Sequence, residues 1–247
     1  MWRPRLLLPD ARRRAGTHDS VDLLLVLAVD VSASISAEEA RMQQRGYRAG
    51  LRHPLVLGAI ASGPVGAIGV AAVAWAGLGF QKLVVPWRRI VGMRDAQAWG
   101  EALSTAWAPV PEEAAAEAFP NGSLTCISRA IDFSRDVLAR APWDAPRRVI
   151  DVSGDGPNNE GPPVEEARDR AVAEGTTING LTIEGDPELA RMFGAGARLA
   201  DYYRDAVIGG PSAFVVVAED IRAFGDAVRR KLILEIADGH GAEGRAL

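Results

Sequence analysis

The segment Val21 to Val31, VDLLLVLAVDV, is an apolar run that ends on an acid, and it narrows the possible folds more than any other feature of the chain. A strand that is apolar on both alternating faces has no wet side, so it belongs inside a sheet covered above and below, as parallel sheets are. Ser36 then stands three residues before Glu39, the spacing of a capping box, and predicts a helix running to about Arg52. The alternation continues along the chain. Val65 to Ala76 and Lys82 to Val85 read as strands joined around Gly77-Leu78-Gly79, a hairpin that sets one strand antiparallel at an edge. Helices are expected at Asp95 to Trp107, Ile127 to Arg140 and Val164 to Glu174, with strands at Arg148 to Ser153, Thr177 to Ile183 and Phe214 to Val217. Ile221, Phe224, Val228 and Leu232 mark a last amphipathic helix, capped by Asp220. This order predicts an α/β fold: a doubly wound, mostly parallel sheet with one antiparallel edge strand, helices on both faces, and a site beyond the carboxyl ends of the strands.

One such domain with insertions accounts for 247 residues. It is expected over residues 19–237, between a disordered basic tail at 1–18 and a flexible tail at 238–247. Pro111 to Glu117, between Pro109 and Pro120, reads as a short exposed helix or an insertion loop. The formal charge of -4 gives no electrostatic footprint for nucleic acid. The single cysteine, Cys126, cannot form an internal disulfide, and His18, His53 and His240 are too scattered for a His/Cys zinc cluster.

The stretch from Pro54 to Gln81 carries no charge, but its glycines and Ser62-Gly63-Pro64 divide it into a helical end, Leu55 to Ala61, and a buried strand, so no membrane span is expected. The arginine-rich start followed by Leu23 to Val29 imitates a secretory signal; Asp22 interrupts the run, and cleavage after it would remove a strand. The default expectation is a cytoplasmic protein, with export open if the start lies elsewhere.

Three segments place oxygen-bearing side chains where this fold brings loops together: Asp30-x-Ser32-x-Ser34 after the first strand, Thr125 just before a helix, and Asp155 after Ser153-Gly154. Carboxylates and hydroxyls are the hard donors that suit Mg2+, with Mn2+ or Ca2+ as competitors. Taken singly, such residues cap helices or build turns. Taken together, they resemble the metal-ion-dependent adhesion site of the von Willebrand factor A superfamily, Asp-x-Ser-x-Ser, then a Thr, then an Asp, in that order. The words Ala28-Val29-Asp30-Val31-Ser32-Ala33-Ser34, Val73-Ala74-Trp75-Ala76-Gly77 and Ile150-Asp151-Val152-Ser153-Gly154-Asp155-Gly156 look most like a bacterial subgroup known as domain of unknown function 1194. The resemblance covers Asp19 to Ala237 and implies a Rossmann-like domain. It also implies a site in which Ser32, Ser34 and Thr125 contact a divalent cation, Asp30 and Asp155 act directly or through water, and an Asp or Glu of a partner protein is recognised. Many members of the superfamily have Thr-Asp-Gly where this chain has Gly154-Asp155-Gly156, a departure that bears on fine geometry.

Enzyme readings fare less well. A haloacid dehalogenase type of phosphatase needs a second aspartate where this chain has Ser32. Gly194-Ala-Gly196 and Gly154-Asp-Gly156 lack a dinucleotide fingerprint, and Cys126 has no histidine in a motif near it and reads as core. Trp75, Trp87, Trp99, Trp107 and Trp143 lie within or beside apolar elements and are expected to pack helices on the sheet rather than bind sugar, and Tyr202-Tyr203 to pack locally. The expectation is a non-enzymatic, metal-dependent adhesion or assembly module. A metal-dependent hydrolase using the same carboxylates, and a structural module with an inactive site, are the alternatives.

Overall fold

The computed structural model describes residues 19–32, 34–107, 124–184, 194 and 196–237; the expectations for the two tails and for residues 111–117 lie outside them. Strand β1 (Leu23–Asp30) is buried along its whole length. It lies inside a six-stranded sheet of order β3-β2-β1-β4-β5-β6. Strands β2 (Ile68–Trp75), β4 (Arg148–Gly154), β5 (Thr177–Ile183) and β6 (Val215–Ala218) run parallel to it, and β3 (Gln81–Ile90) closes one edge antiparallel to β2.

Alternation along β1 builds two cores. Leu23, Leu25, Leu27 and Val29 face α1 (Ala37–Leu51), α2 (Pro54–Ala61), α3 (Met93–Ala106) and α7 (Phe224–Ala237). Leu24, Val26 and Ala28 face α4 (Ile127–Ala139), α5 (Val164–Ala173) and α6 (Leu199–Tyr202), which continues as a π-helical turn, Tyr203–Val207. The expected doubly wound architecture is present. Its chain progresses from β1 toward one edge and then restarts at β4 on the other side, so a topological switch point lies between the carboxyl ends of β1 and β4.

Local signals place the elements. The Ser36 hydroxyl accepts from the Glu39 N–H at 3.2 Å and the Ser36 N–H donates to Glu39 Oε2 at 2.8 Å, the reciprocal capping box. Helix α3 begins at Met93, two residues before the sequence expectation, because Asp95 accepts from the N–H groups of Val91 and Gly92. Strand β3 runs past the expected Val85 to Ile90. At the edge of a sheet Pro86 costs no obligatory ladder bond, and the register shifts between Val70 and Ala72 absorb the irregularity. Asp220 accepts from Arg222 and Ala223 N–H groups, capping a 3-10 turn (Ile221–Ala223) that leads into α7. Trp75, Trp99 and Trp107 are buried, and Trp87 and Trp143 pack against the core as partly buried residues.

The uncharged stretch forms α2 and the fully buried β2. No described helix is long and apolar enough to cross a membrane. Strand β2 starts at Ile68 rather than Val65 because Val65, Gly66 and Ala67 form a turn whose N–H groups donate to the Asp22 carboxylate at 2.9, 2.9 and 3.3 Å. Gly66 has φ +68°, a left-handed conformation suited to glycine. Asp22→Ala would leave three donors without that acceptor, and a loss of about 2 kcal/mol is expected by denaturant titration.

Against the α7 side of β4 lies a buried ionic cluster. Lys231 Nζ is 2.8 Å from Asp151 Oδ1 and 2.6 Å from Glu235 Oε1, and none of the three residues is more than 1% exposed. Asn179 Nδ2 donates to the same Glu235 oxygen at 3.0 Å. Nearby, the Tyr47 hydroxyl donates to Ser153 Oγ at 3.0 Å, tying α1 to β4.

Candidate metal centre

The switch point gathers four of the five residues singled out from the sequence. Asp30 is the last residue of β1 and Asp155 follows the last residue of β4. The Ser32 N–H donates to Asp30 Oδ1 at 2.8 Å, Ser32 Oγ and Ser34 Oγ are 3.0 Å apart, and Ser34 Oγ donates to Asp155 Oδ1 at 3.0 Å. These contacts link the floor of the crevice to its rim, through the Ser32 backbone N–H at the Asp30 end and through the two serine hydroxyls at the Asp155 end. Asp30 and Ser32 are buried, Asp155 is half-buried and Ser34 is exposed.

Thr125 is brought alongside by its backbone. Its N–H donates to Asn159 Oδ1 at 2.7 Å, and its carbonyl accepts from the N–H groups of Asn159 and Glu160. A Cβ on Gly156 would lie 3.6 Å from Thr125 Oγ1, which sets that hydroxyl beside the Asp155–Gly156 turn. Asn158 Oδ1 accepts from the Ser128 N–H at the start of α4, and Tyr202 Oη accepts from the Asn158 N–H. Glu160 Oε2 accepts from the Leu78 N–H in the hairpin between β2 and β3.

Asn158, Asn159, Glu160 and Tyr202 therefore hold the loops in place, and the sequence reading gave none of them this task. The usable signal was the pair of adjacent amides after Asp155-Gly156-Pro157, since amide oxygens suit the free N–H groups at a helix start. Cys126 is fully buried, with Sγ 3.5 Å from Ser128 Oγ, the core placement expected of it.

Electrostatics single out Asp30. Burial first, and the Asp155 charge second, push its carboxyl up from 3.8 to about 8, against hydrogen bonds from Ser32 and from the Asp155 backbone. Its Oδ2 atom is buried and has no hydrogen-bond partner among the described residues. Two carboxylates in one crevice, one with an unpartnered buried oxygen, are suited to a cation, and the neighbouring hydroxyls are donors of the same hard class. No group of three His, Cys, Asp or Glu side chains gathers among the described residues, so this donor set is hydroxyl-rich rather than a carboxylate cage.

Solved structures with a similar fold include a von Willebrand factor type A structure. Proximal thread matrix protein 1 from the mussel byssus, solved with a zinc-occupied MIDAS motif, is 17% identical with a TM-score of 0.56, over 88% of this chain and 48% of that one. A von Willebrand factor type A structure from Catenulispora acidiphila is 15% identical with a TM-score of 0.53, over 90% of this chain and 43% of that one. BatB from Bacteroides thetaiotaomicron is 18% identical with a TM-score of 0.50, over 87% of this chain and 99% of that one. This chain thus spans about half the length of the first two. The fold is of the von Willebrand factor A type, as the sequence motifs implied. The chain belongs to the family described as Protein of unknown function (DUF1194), whose model matches residues 20–240. No curated protein matches it.

Proposed function

We propose that this domain is a non-enzymatic protein-binding module for adhesion or assembly, in which a divalent cation held by Asp30, Ser32, Ser34, Thr125 and Asp155 recognises a carboxylate of a partner protein. The observation that carries this reading is the buried, unpartnered Oδ2 of Asp30 in a crevice shared with Asp155. Mg2+ is the expected ion because every donor is a hard oxygen, with Mn2+ and Ca2+ as competitors. When bound, such an ion supplies positive charge that an acidic side chain of the partner would meet.

The chain's own residues do the rest. Ser32 and Ser34 relay hydrogen bonds between the two carboxylates and fix the loop after β1, while Asn159 fixes Thr125 across the crevice. The exposed Ser34 and half-buried Asp155 mark the side open to a partner. The two carboxylates carry at most two negative charges and, with the three hydroxyls, leave a dication with an unfilled position, which a glutamate or aspartate of the partner completes. The mussel structure with a zinc-occupied MIDAS motif supports the assignment by its shared fold.

A partner captured in Mg2+ is expected to be lost with EDTA and recovered when Mg2+ is restored, to tolerate Cys126→Ser, and to be lost with Ser34→Ala or Asp155→Ala. Charge-assisted contacts are strict in geometry, so one truncated oxygen reduces binding sharply, whereas a changed rim charge acts mainly on the association rate. Retention by Asp155→Ala in EDTA would contradict the proposal. Turnover of a phosphoester or peptide panel with Mg2+ or Mn2+, lost in Asp155→Ala, would establish the hydrolase reading instead.

A further inference from the structure

Gly154, where the superfamily resemblance leads one to expect threonine, faces the α6 side of the sheet. A Cβ there would lie 2.8 Å from Tyr203 Oη, 3.0 Å from Asp30 Oδ2 and 3.5 Å from Trp75 Cη2. Two buried oxygens thus converge on the space that a side chain at 154 would fill. Both are polar atoms without a hydrogen-bond partner among the described residues. One is a hydroxyl that can donate and the other a carboxylate oxygen that can only accept when ionised.

The surroundings are shaped to deliver that hydroxyl. A Cβ on Gly180, in the middle of the neighbouring strand, would lie 2.8 Å from Tyr203 Cδ1, so two glycines make room for one tyrosine laid over β5 and the end of β4. The π-helical turn fixes its backbone through the Ile208 N–H, which donates to the Tyr203 carbonyl at 2.9 Å. Its neighbour Tyr202 packs edge-on at 6.2 Å between centroids and accepts from Asn158 in the loop after Asp155.

We propose that Tyr203 is a positioning residue of the metal centre: its hydroxyl is turned into the space left by Gly154, toward Oδ2 of Asp30, and orients that carboxylate, the deepest of the site, when the ion is bound. This rests on the metal reading above. Groups that orient metal ligands from behind affect affinity by roughly 10- to 100-fold. Calorimetric titration of Mg2+ into metal-stripped protein is therefore expected to show Tyr203→Phe binding at least about tenfold more weakly than the parent, with an unchanged or higher melting temperature in EDTA. Gly154→Ala, which sets a methyl group against the hydroxyl, is expected to weaken Mg2+ binding similarly, and to add no further loss in the Tyr203→Phe background. Tyr203→Phe binding Mg2+ as tightly as the parent, whether or not it melts earlier in EDTA, overturns the assignment while leaving the metal site standing. A parent that takes up neither Mg2+ nor Mn2+ overturns the metal reading and this assignment with it.

Discussion

Lys231→Met is expected to be among the most destabilising single changes in this domain at pH 8. The ammonium sits between Asp151 and Glu235 with all three side chains out of water, so removing it strands two carboxylates that remain buried. Breaking a buried ion pair from one side costs about 3–5 kcal/mol, against a total stability of about 5–15 kcal/mol for an ordinary domain. Methionine keeps the apolar stem and so separates this charge effect from a cavity effect.

The pH dependence gives the variant a signature. Burial first pushes the Asp151 carboxyl up from 3.8 to about 7; Lys231 pulls it down and Glu235 pushes it further up. A folded-state value above the unfolded one means that folding favours the protonated acid. That contribution is full below about pH 4 and is lost as pH rises through about 7. Without Lys231 the pull downward disappears, so the decline becomes steeper and extends to higher pH, and acid should rescue the variant. Urea titrations at pH 5 and pH 8 measure this; equal stability of Lys231→Met and parent at pH 8 would refute it. Asp30 titrates with the same sign in metal-free protein, so Asp151→Asn serves as the control that isolates the cluster.

The second large effect is at the candidate metal centre, where stability and ion binding are expected to oppose one another. Asp30→Asn removes a carboxylate that burial and Asp155 disfavour, so at pH 9, above its value of about 8, the metal-free variant should be at least as stable as the parent. The same change removes the deepest donor of the site. A ligand at a hundred times its Kd stabilises a fold by about 2.7 kcal/mol. The parent should gain about that much from Mg2+ at such an excess, and Asp30→Asn should gain nothing. Thermal melts with and without Mg2+ read both halves; an undiminished shift in Asp30→Asn would remove Asp30 from the ligand set.

Apolar runs made the sheet legible from the sequence, because a strand buried on both faces leaves a continuous signature that no tertiary contact needs to complete. The acid at the end of the first run pointed to the crevice for the same reason. What stayed hidden depends on partners distant in the chain. Lys231 looks like one more polar position on an amphipathic helix, and only the packing of α7 on β4 reveals that it faces Asp151. Asp22 reads as a blemish in an apolar run until the turn at 65–67 is folded against it. Tyr203 and Gly154 lie far apart in sequence and meet only because the π-helical turn after α6 packs on β5, beside the end of β4. The full length of β3 was obscured by Pro86, which marks an interruption in a central strand and is harmless at an edge.

Calorimetric titration of Mg2+ into the metal-stripped chain, run side by side for the parent, Cys126→Ser and Asp155→Ala, tests the proposed function most directly. One binding site is expected in the parent and in Cys126→Ser, and none in Asp155→Ala, since the Asp155 carboxylate ends the run of hydrogen bonds that starts at Asp30. Binding of Mg2+ by Asp155→Ala as tight as by the parent would show that these residues do not form the site.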